Sequence, residues 1–250
     1  MKYNVISSGS KGNATLVISK NTVILIDMGI SLTRLNEGLI ELGLTIEDIT
    51  GAIFTHNHSD HINGLRFLSP KILYALKGTL PGSLTNIVEL YVPFKIGDMT
   101  ITPFRTSHDA INPCGYVISD DKETLVYMTD TGVFLDETLP YIKNPDYLII
   151  ESNHDIKMLL NTKRTYELKS RIMSEQGHLC NEDSAIATCS IIGNKTKEIT
   201  LAHLSEEANT PELALAAYVK VFRHFGVRID DYNLRCANQW ASTIGGHDEN

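Results

Sequence analysis

Residues 56–61 read HNHSDH. Three of the chain's nine histidines fall there, with an aspartate among them. His56, His58, Asp60 and His61 restrict the local fold severely. On a continuous helix, side chains two residues apart point to nearly opposite sides. In an extended segment they point the same way. His56 and His58 can therefore share a ligand only on an extended segment, and the strand-like AIFT at 52–55 delivers one as the chain leaves it. Asp60 and His61 then sit where the chain turns and face a neighbouring position. Imidazole and carboxylate suit zinc, manganese or iron, and four such groups in six residues suit two ions better than one. No cysteine joins them, which fits a hydrolytic site more than a structural zinc site.

Two ions need ligands from elsewhere in the chain. His108 follows the strand-like MTITPF (99–104), Asp130 ends TLVYMTD, and His203 ends EITLAH. Strand ends along one sheet edge converge in space, so these three are candidates. Asp27, ending VILID, is a fourth. A carboxylate there can accept a hydrogen bond from a ligating imidazole and fix its tautomer. Taken singly, each of these residues would ordinarily be structural or solvated, and the cluster at 56–61 is what promotes them.

The surrounding pattern is α/β. KYNVIS (2–7), ATLVIS (14–19) and TVILID (22–27) read as a strand meander. Leu32, Leu35, Leu39 and Leu42 at helical spacing behind Ser31 predict a helix over 31–44. INGLRFL (62–68) reads as a second helix. KILYA (71–75), GYVIS (115–119), TLVYMT (124–129) and DYLIIES (146–152) read as further strands, and 164–175, 182–192 and 211–222 as helices. HDEN (247–250) is a polar tail. No linker or repeat divides the chain, so residues 1–250 are expected to form a single domain with sheets packed between helices.

Composition bounds the partners. A net charge of −8 and a pI near 5.6 oppose general nucleic-acid binding, so such a substrate needs a local basic patch or a metal to receive the phosphate. Segment 157–171 offers one: Lys157, Lys163, Arg164, Lys169 and Arg171 against Glu167, unless it is simply a solvated helix face. SSGSKGN (7–13) is a turn whose Gly9 and Gly12 permit φ > 0, leaving amides that could meet an anion beside Lys11. His154 and His178 could bind phosphate or protonate a leaving oxygen. The scattered cysteines, the absence of a signal peptide at the N-terminus and the lack of a membrane-length apolar run point to a cytoplasmic protein with no membrane partner.

HNHSDH matches the H-x-H-x-D-H signature of the metallo-β-lactamase superfamily, and Asp27, His108, Asp130 and His203 resemble its other motifs in the same order. SSGSKGN, TSHDA (106–110), ESNHD (151–155), GHLCN (177–181) and AHLS (202–205) further resemble the YycJ (WalJ) branch, a bacterial group associated with 5′-to-3′ DNA exonuclease activity. Cys180 departs from that pattern, where serine is expected. The resemblance implies an αβ/βα four-layer sandwich with two divalent ions, zinc or manganese, at the edge of two sheets. It assigns His56, His58 and His108 to one ion, Asp60, His61 and His203 to the other, and Asp130 to both. Asp60, Asp130 and His154 are then the candidate catalytic residues, and Lys11, His154, His178, Lys163 and Arg164 the candidate substrate contacts. The expected reaction is phosphodiester hydrolysis with DNA as substrate. A thioester or lactone hydrolase and a non-catalytic metal-stabilised binding module are the alternatives. Residues 131–202 are too few to include the β-CASP clamp of some superfamily nucleases.

Overall fold

The computed structural model describes residues 1–82 and 86–247. Two seven-stranded sheets face each other. In the first, β1 (Lys2–Ser7), β2 (Ala14–Ile18) and β3 (Val23–Ile26) form the antiparallel meander that the sequence predicts. β4 (Gly51–Phe54), β5 (Leu73–Leu76) and β6 (Asn86–Val88) then add in parallel. In the second, β7 (Phe94–Ile96), β8 (Met99–Arg105), β9 (Cys114–Ser119) and β10 (Thr124–Met128) are antiparallel, and β11 (Tyr147–Glu151), β12 (Glu198–Ala202) and β13 (Asn233–Cys236) continue in parallel. β14 (Thr243–Gly246) crosses back to pair with β1.

Alternation along the strands gives each sheet two apolar faces. Tyr3, Val17, Ile26 and Ile53 from one sheet meet Ile101, Tyr116, Leu125 and Ile149 from the other. The outer face of the first sheet packs on α1 (Leu32–Ile40) through Leu35 and Leu39. The outer face of the second packs on α6 (Asn181–Ile191) and α7 (Pro211–His224), with Tyr218 and Phe222 fully buried. The result is the four-layer αβ/βα sandwich. Tyr116 ties the layers together below the site, its hydroxyl donating to the Phe54 carbonyl at 2.6 Å across the sheets.

Three expectations are corrected. The helix predicted over 62–68 is instead one α-turn, α2 (Ser59–Ile62), followed by a separate 3-10 turn at Leu65–Phe67. The Gly64 amide donates to the Met28 carbonyl at 2.7 Å and so leaves the helical ladder. The helix predicted over 164–175 is shorter, α5 (Tyr166–Ile172), capped by Thr165 and preceded by a short α4 (Ile156–Asn161) that the sequence pattern did not mark. The tail is not free at its start: the His247 amide donates to the Met1 carbonyl at 3.0 Å, while 248–250 lie outside the described residues. Strands β6, β7, β13 and β14 also went unmarked; each has three or four residues, too few for alternation to register. Among the described residues no helix is long and apolar enough to cross a membrane.

Candidate metal centre

The parallel strands bring their carboxyl ends to one edge, and the chain makes abrupt exits there. Asp27 after β3, Asp130 after β10 and His203 after β12 all adopt left-handed backbone, with φ of 59°, 55° and 55°. Such conformations are costly for residues other than glycine and persist where the surroundings over-determine them. Here each one aims a polar side chain back across the sheet edge. The 56–61 segment is held beside them by backbone bonds. The Asn13 amide donates to the Asp60 carbonyl at 2.8 Å, and the Met28 amide to the His61 carbonyl at 2.8 Å. Gly29 permits this approach, since a Cβ there would lie 1.6 Å from the Asp60 oxygen.

The seven candidate ligands meet. Donor atoms of His56, His58 and His108 lie within 4.8 Å of one another, and so do those of Asp60, His61 and His203. Asp130 stands between the sets, one oxygen 3.4 Å from His61 Nε2 and the other 3.8 Å from His108 Nε2 and 3.5 Å from His203 Nδ1. His56 Nε2, Asp130 Oδ2 and His203 Nε2 are buried and without any hydrogen-bond partner. Leaving one such atom unsatisfied costs about 1–3 kcal/mol. Three in one pocket, all of ligand chemistry, fit bound divalent metal; Asp130 shares one donor cluster with His56 and another with His203.

Four of the five imidazoles are oriented from behind. His61 Nδ1 donates to Asp27 Oδ2 at 2.7 Å. Thr55 gives its hydroxyl proton to Asp27 at 2.8 Å, so its oxygen accepts from His56 Nδ1 at 3.0 Å. His108 Nδ1 donates to the Gly177 carbonyl at 3.0 Å, and His203 Nδ1 to Glu151 Oε1 at 2.8 Å. In all four rings Nε2 is the nitrogen left for a cation. The charges respond accordingly. Burial opposes charge on His61 and His203, but Asp27 and Asp130 reverse this for the first, whose pKa rises to about 9. Asp130 and Glu151 do the same for His203, which rises to about 10. His56 has no carboxylate of its own; burial, reinforced by His61, holds it well below the imidazole range.

A family model described as a β-lactamase superfamily domain matches residues 22–203, which contain all of these side chains. The chain belongs to the metallo-β-lactamase superfamily. Within the superfamily it is 37% identical over 228 residues to exodeoxyribonuclease WalJ of Streptococcus pneumoniae, covering 85% of each chain. It is 34% identical over 244 residues to exodeoxyribonuclease YycJ of Bacillus anthracis, covering 92% of each. Among solved structures, the metallo-β-lactamase fold protein YhfI of Bacillus subtilis superposes with a TM-score of 0.73 over 98% of this chain and 99% of that one, at 19% identity. The superfamily fold and the donor clusters together make this a site for divalent metal.

Glu151 is a residue of this site that sequence reasoning missed. It ends β11, is fully buried, and receives His203, His178 and the amides of Thr131 and Leu179. Burial opposes its ionisation, yet His178 and His203 bring its pKa down to about 2. The signal was available: an acid ending a buried strand, as at Asp27 and Asp130. Asn13 was also missed; its amide nitrogen lies 3.0 Å from His61 Nε2 and 3.3 Å from Asp60 Oδ2.

The remaining candidates divide. His178 joins the site at its rim, 2.8 Å from Glu151 with its side chain 17% exposed. His154 does not join. It is buried among other residues, lining a separate cleft of about 380 Å³ with Lys157, Asn181 and Leu213. The 7–13 turn has φ of 141° at Gly9 and 146° at Gly12, as expected, but its amides are not free for an anion. Those of Ser8, Gly9, Lys11 and Gly12 donate to Asn238, Asn13, Gln239 and Gly9 respectively. The turn is thus a brace, and only the exposed Lys11 side chain remains available at its tip. Arg164 is committed to Glu207 at 3.0 Å, whereas Lys163 is exposed and unpaired.

Proposed function

We propose that the protein is a two-metal phosphodiesterase that degrades DNA from its ends, working 5′ to 3′. The observation that carries this is the pocket of opposed, partnerless buried donors, in a chain that aligns over 85–92% of its length with two exodeoxyribonucleases. His56, His58 and His108 would hold one ion, Asp60, His61 and His203 the other, and Asp130 would contact both. Two such ions, zinc or manganese, would supply the positive charge needed to ionise a water and to receive a phosphate oxygen. The chain's own part is orientation. Asp27 and Glu151 lock the tautomers of His61 and His203, and the Gly177 carbonyl locks His108. His178, held at one ring nitrogen by Glu151, is the group at the rim that would hand a proton to the leaving oxygen. This replaces His154, whose cleft is separate. The same reading takes residues 1–250 as one catalytic unit that grips DNA without a β-CASP clamp, so its affinity should fall steeply with salt.

The test is a panel with zinc or manganese: 5′-labelled and 3′-labelled DNA, RNA, bis(p-nitrophenyl) phosphate, a glutathione thioester and a homoserine lactone. Mononucleotide release from the 5′ end, with phosphodiester turnover and no thioester turnover, is expected. Thioester or lactone turnover without phosphodiester turnover removes the reading.

A further inference from the structure

Helices α4 and α5 form a small hairpin, and both of its arginines are used to fix it to the metal centre. Arg171 Nε donates to Asp109 Oδ2 at 2.5 Å, beside His108. Arg164 reaches Glu207 at 3.0 Å and Ser205 at 3.5 Å, on the loop that follows His203. Lys169 closes the hairpin turn by donating to the carbonyls of Leu160 and Thr162 at 2.7 and 2.8 Å. Lys157 and Lys163 are left over. Both are exposed and make no hydrogen bond or ion pair through their side chains among the described residues. Tyr166, the first residue of α5, is 82% exposed, and Leu160 in α4 is 53% exposed.

We propose that this hairpin is the landing platform for single-stranded DNA: the backbone passes over Lys157 and Lys163, and a base stacks on Tyr166. This deepens the nuclease reading and rests on it. Charge selects the occupant. In a chain of net charge −8, Glu207 and Asp109 neutralise the two arginines of segment 157–171, but Lys157, Lys163 and Lys169 still stand against the single acid Glu167, so the hairpin attracts a polyanion. A second copy seated symmetrically on the same face would set these lysines against their own counterparts. An aromatic ring left this open is otherwise idle, and every base offers it a π-face. The two arginine ties fix the platform against both ligand loops, so the stacked base sits in a set register with the cleaved bond. The arginines position and the lysines and tyrosine bind, which divides the basic segment into two roles.

The experiment uses the metal-loaded full chain with an oligothymidylate and, separately, bis(p-nitrophenyl) phosphate. Tyr166→Ala should raise KM for the oligonucleotide about tenfold, the loss expected for one stacked base, with kcat held. Tyr166→Phe should restore it. Lys163→Ala should make the slope of log KM against log salt shallower by about 0.7. Tyr166→Ala should leave turnover of bis(p-nitrophenyl) phosphate unchanged, since that substrate has no neighbouring base to stack. Wild-type KM in both Tyr166→Ala and Lys163→Ala overturns the platform and leaves the nuclease reading standing. Wild-type protein that hydrolyses bis(p-nitrophenyl) phosphate but degrades no DNA overturns both.

Discussion

The two sets of donors, three imidazoles in one and two imidazoles with a carboxylate in the other, differ further in what stands behind them. His61 and His203 each give Nδ1 to a carboxylate, at 2.7 and 2.8 Å. Across the pocket, His56 reaches Asp27 only through the Thr55 hydroxyl, and His108 has a neutral carbonyl behind it. His58 is half-buried, and its nearest ring partner is His108 at 3.3 Å. An anionic partner makes an imidazole a stronger donor and fixes its orientation. The Asp60, His61 and His203 set should therefore hold its ion the more tightly, and the His56, His58 and His108 set should exchange its own. On the two-ion reading proposed above, one pocket would then have a permanent half and a labile half.

Asp130 is the residue the halves share, so its loss gives the largest effect. Asp130→Ala should reduce phosphodiester turnover to background, about 1000-fold or more, because it removes the carboxylate that stands between the sets. Circular dichroism should report a retained fold, since Asp130 lies beyond the end of β10 and its side chain packs in no apolar cluster. Wild-type rates would show that the halves work separately and that Asp130 joins nothing.

Glu151→Gln attacks the permanent half and not the labile one, although it also loosens His178 at the rim. The variant keeps the shape but loses the charge behind His203, and the expected cost is about 10–100-fold in affinity for one ion. Elemental analysis after dialysis should then find one ion fewer per chain than wild type. Two ions retained at wild-type affinity would remove the distinction between the halves. Asp27→Asn is the less selective variant, because Asp27 serves His61 directly and His56 through Thr55.

How much of this was legible beforehand follows from chain distance. The four donors of HNHSDH announce themselves because they are adjacent, and an extended exit from β4 is the only geometry that lets His56 and His58 converge. Asp27, Asp130 and His203 were visible as polar residues ending apolar strands. Glu151 has the same signature and was passed over, because the β11 run continues into Ser152 and the acid does not stand out as its last residue. The fate of the basic segment was illegible: nothing local says that Arg164 meets Glu207 or that Arg171 meets Asp109, contacts set by how the sheets bring distant loops together. The amides of the 7–13 turn were misread for the same reason, since their acceptors at Asn238 and Gln239 lie at the far end of the chain.

A chelator titration sharpens the comparison without any substitution. Ion loss from wild type should occur in two steps, the earlier at roughly tenfold lower chelator, in line with the affinity that carboxylate backing confers. The earlier step should disappear in His58→Ala, which disables the labile half. A single concerted step would mean that Asp130 couples the sets more strongly than their separate supports divide them.

Cys180→Ser is the smallest change and a control on all the others. Cys180 caps α6, its sulfur accepting from the Asp183 amide at 3.4 Å and donating to the Asp183 carboxylate at 3.2 Å. Serine is a preferred capping residue, and its oxygen can make both bonds at ordinary length. The gain should be a few tenths to about 1 kcal/mol, or about 1–3 °C in Tm for a chain of this size. The residue neighbours Leu179, whose amide supports Glu151, but it touches no donor itself. Stability should therefore rise while both steps of the chelator titration stay in place. If the later step moves with Tm, the tightness of the permanent half comes from the stiffness of the α6 entry, and the carboxylates behind His61 and His203 do not account for it.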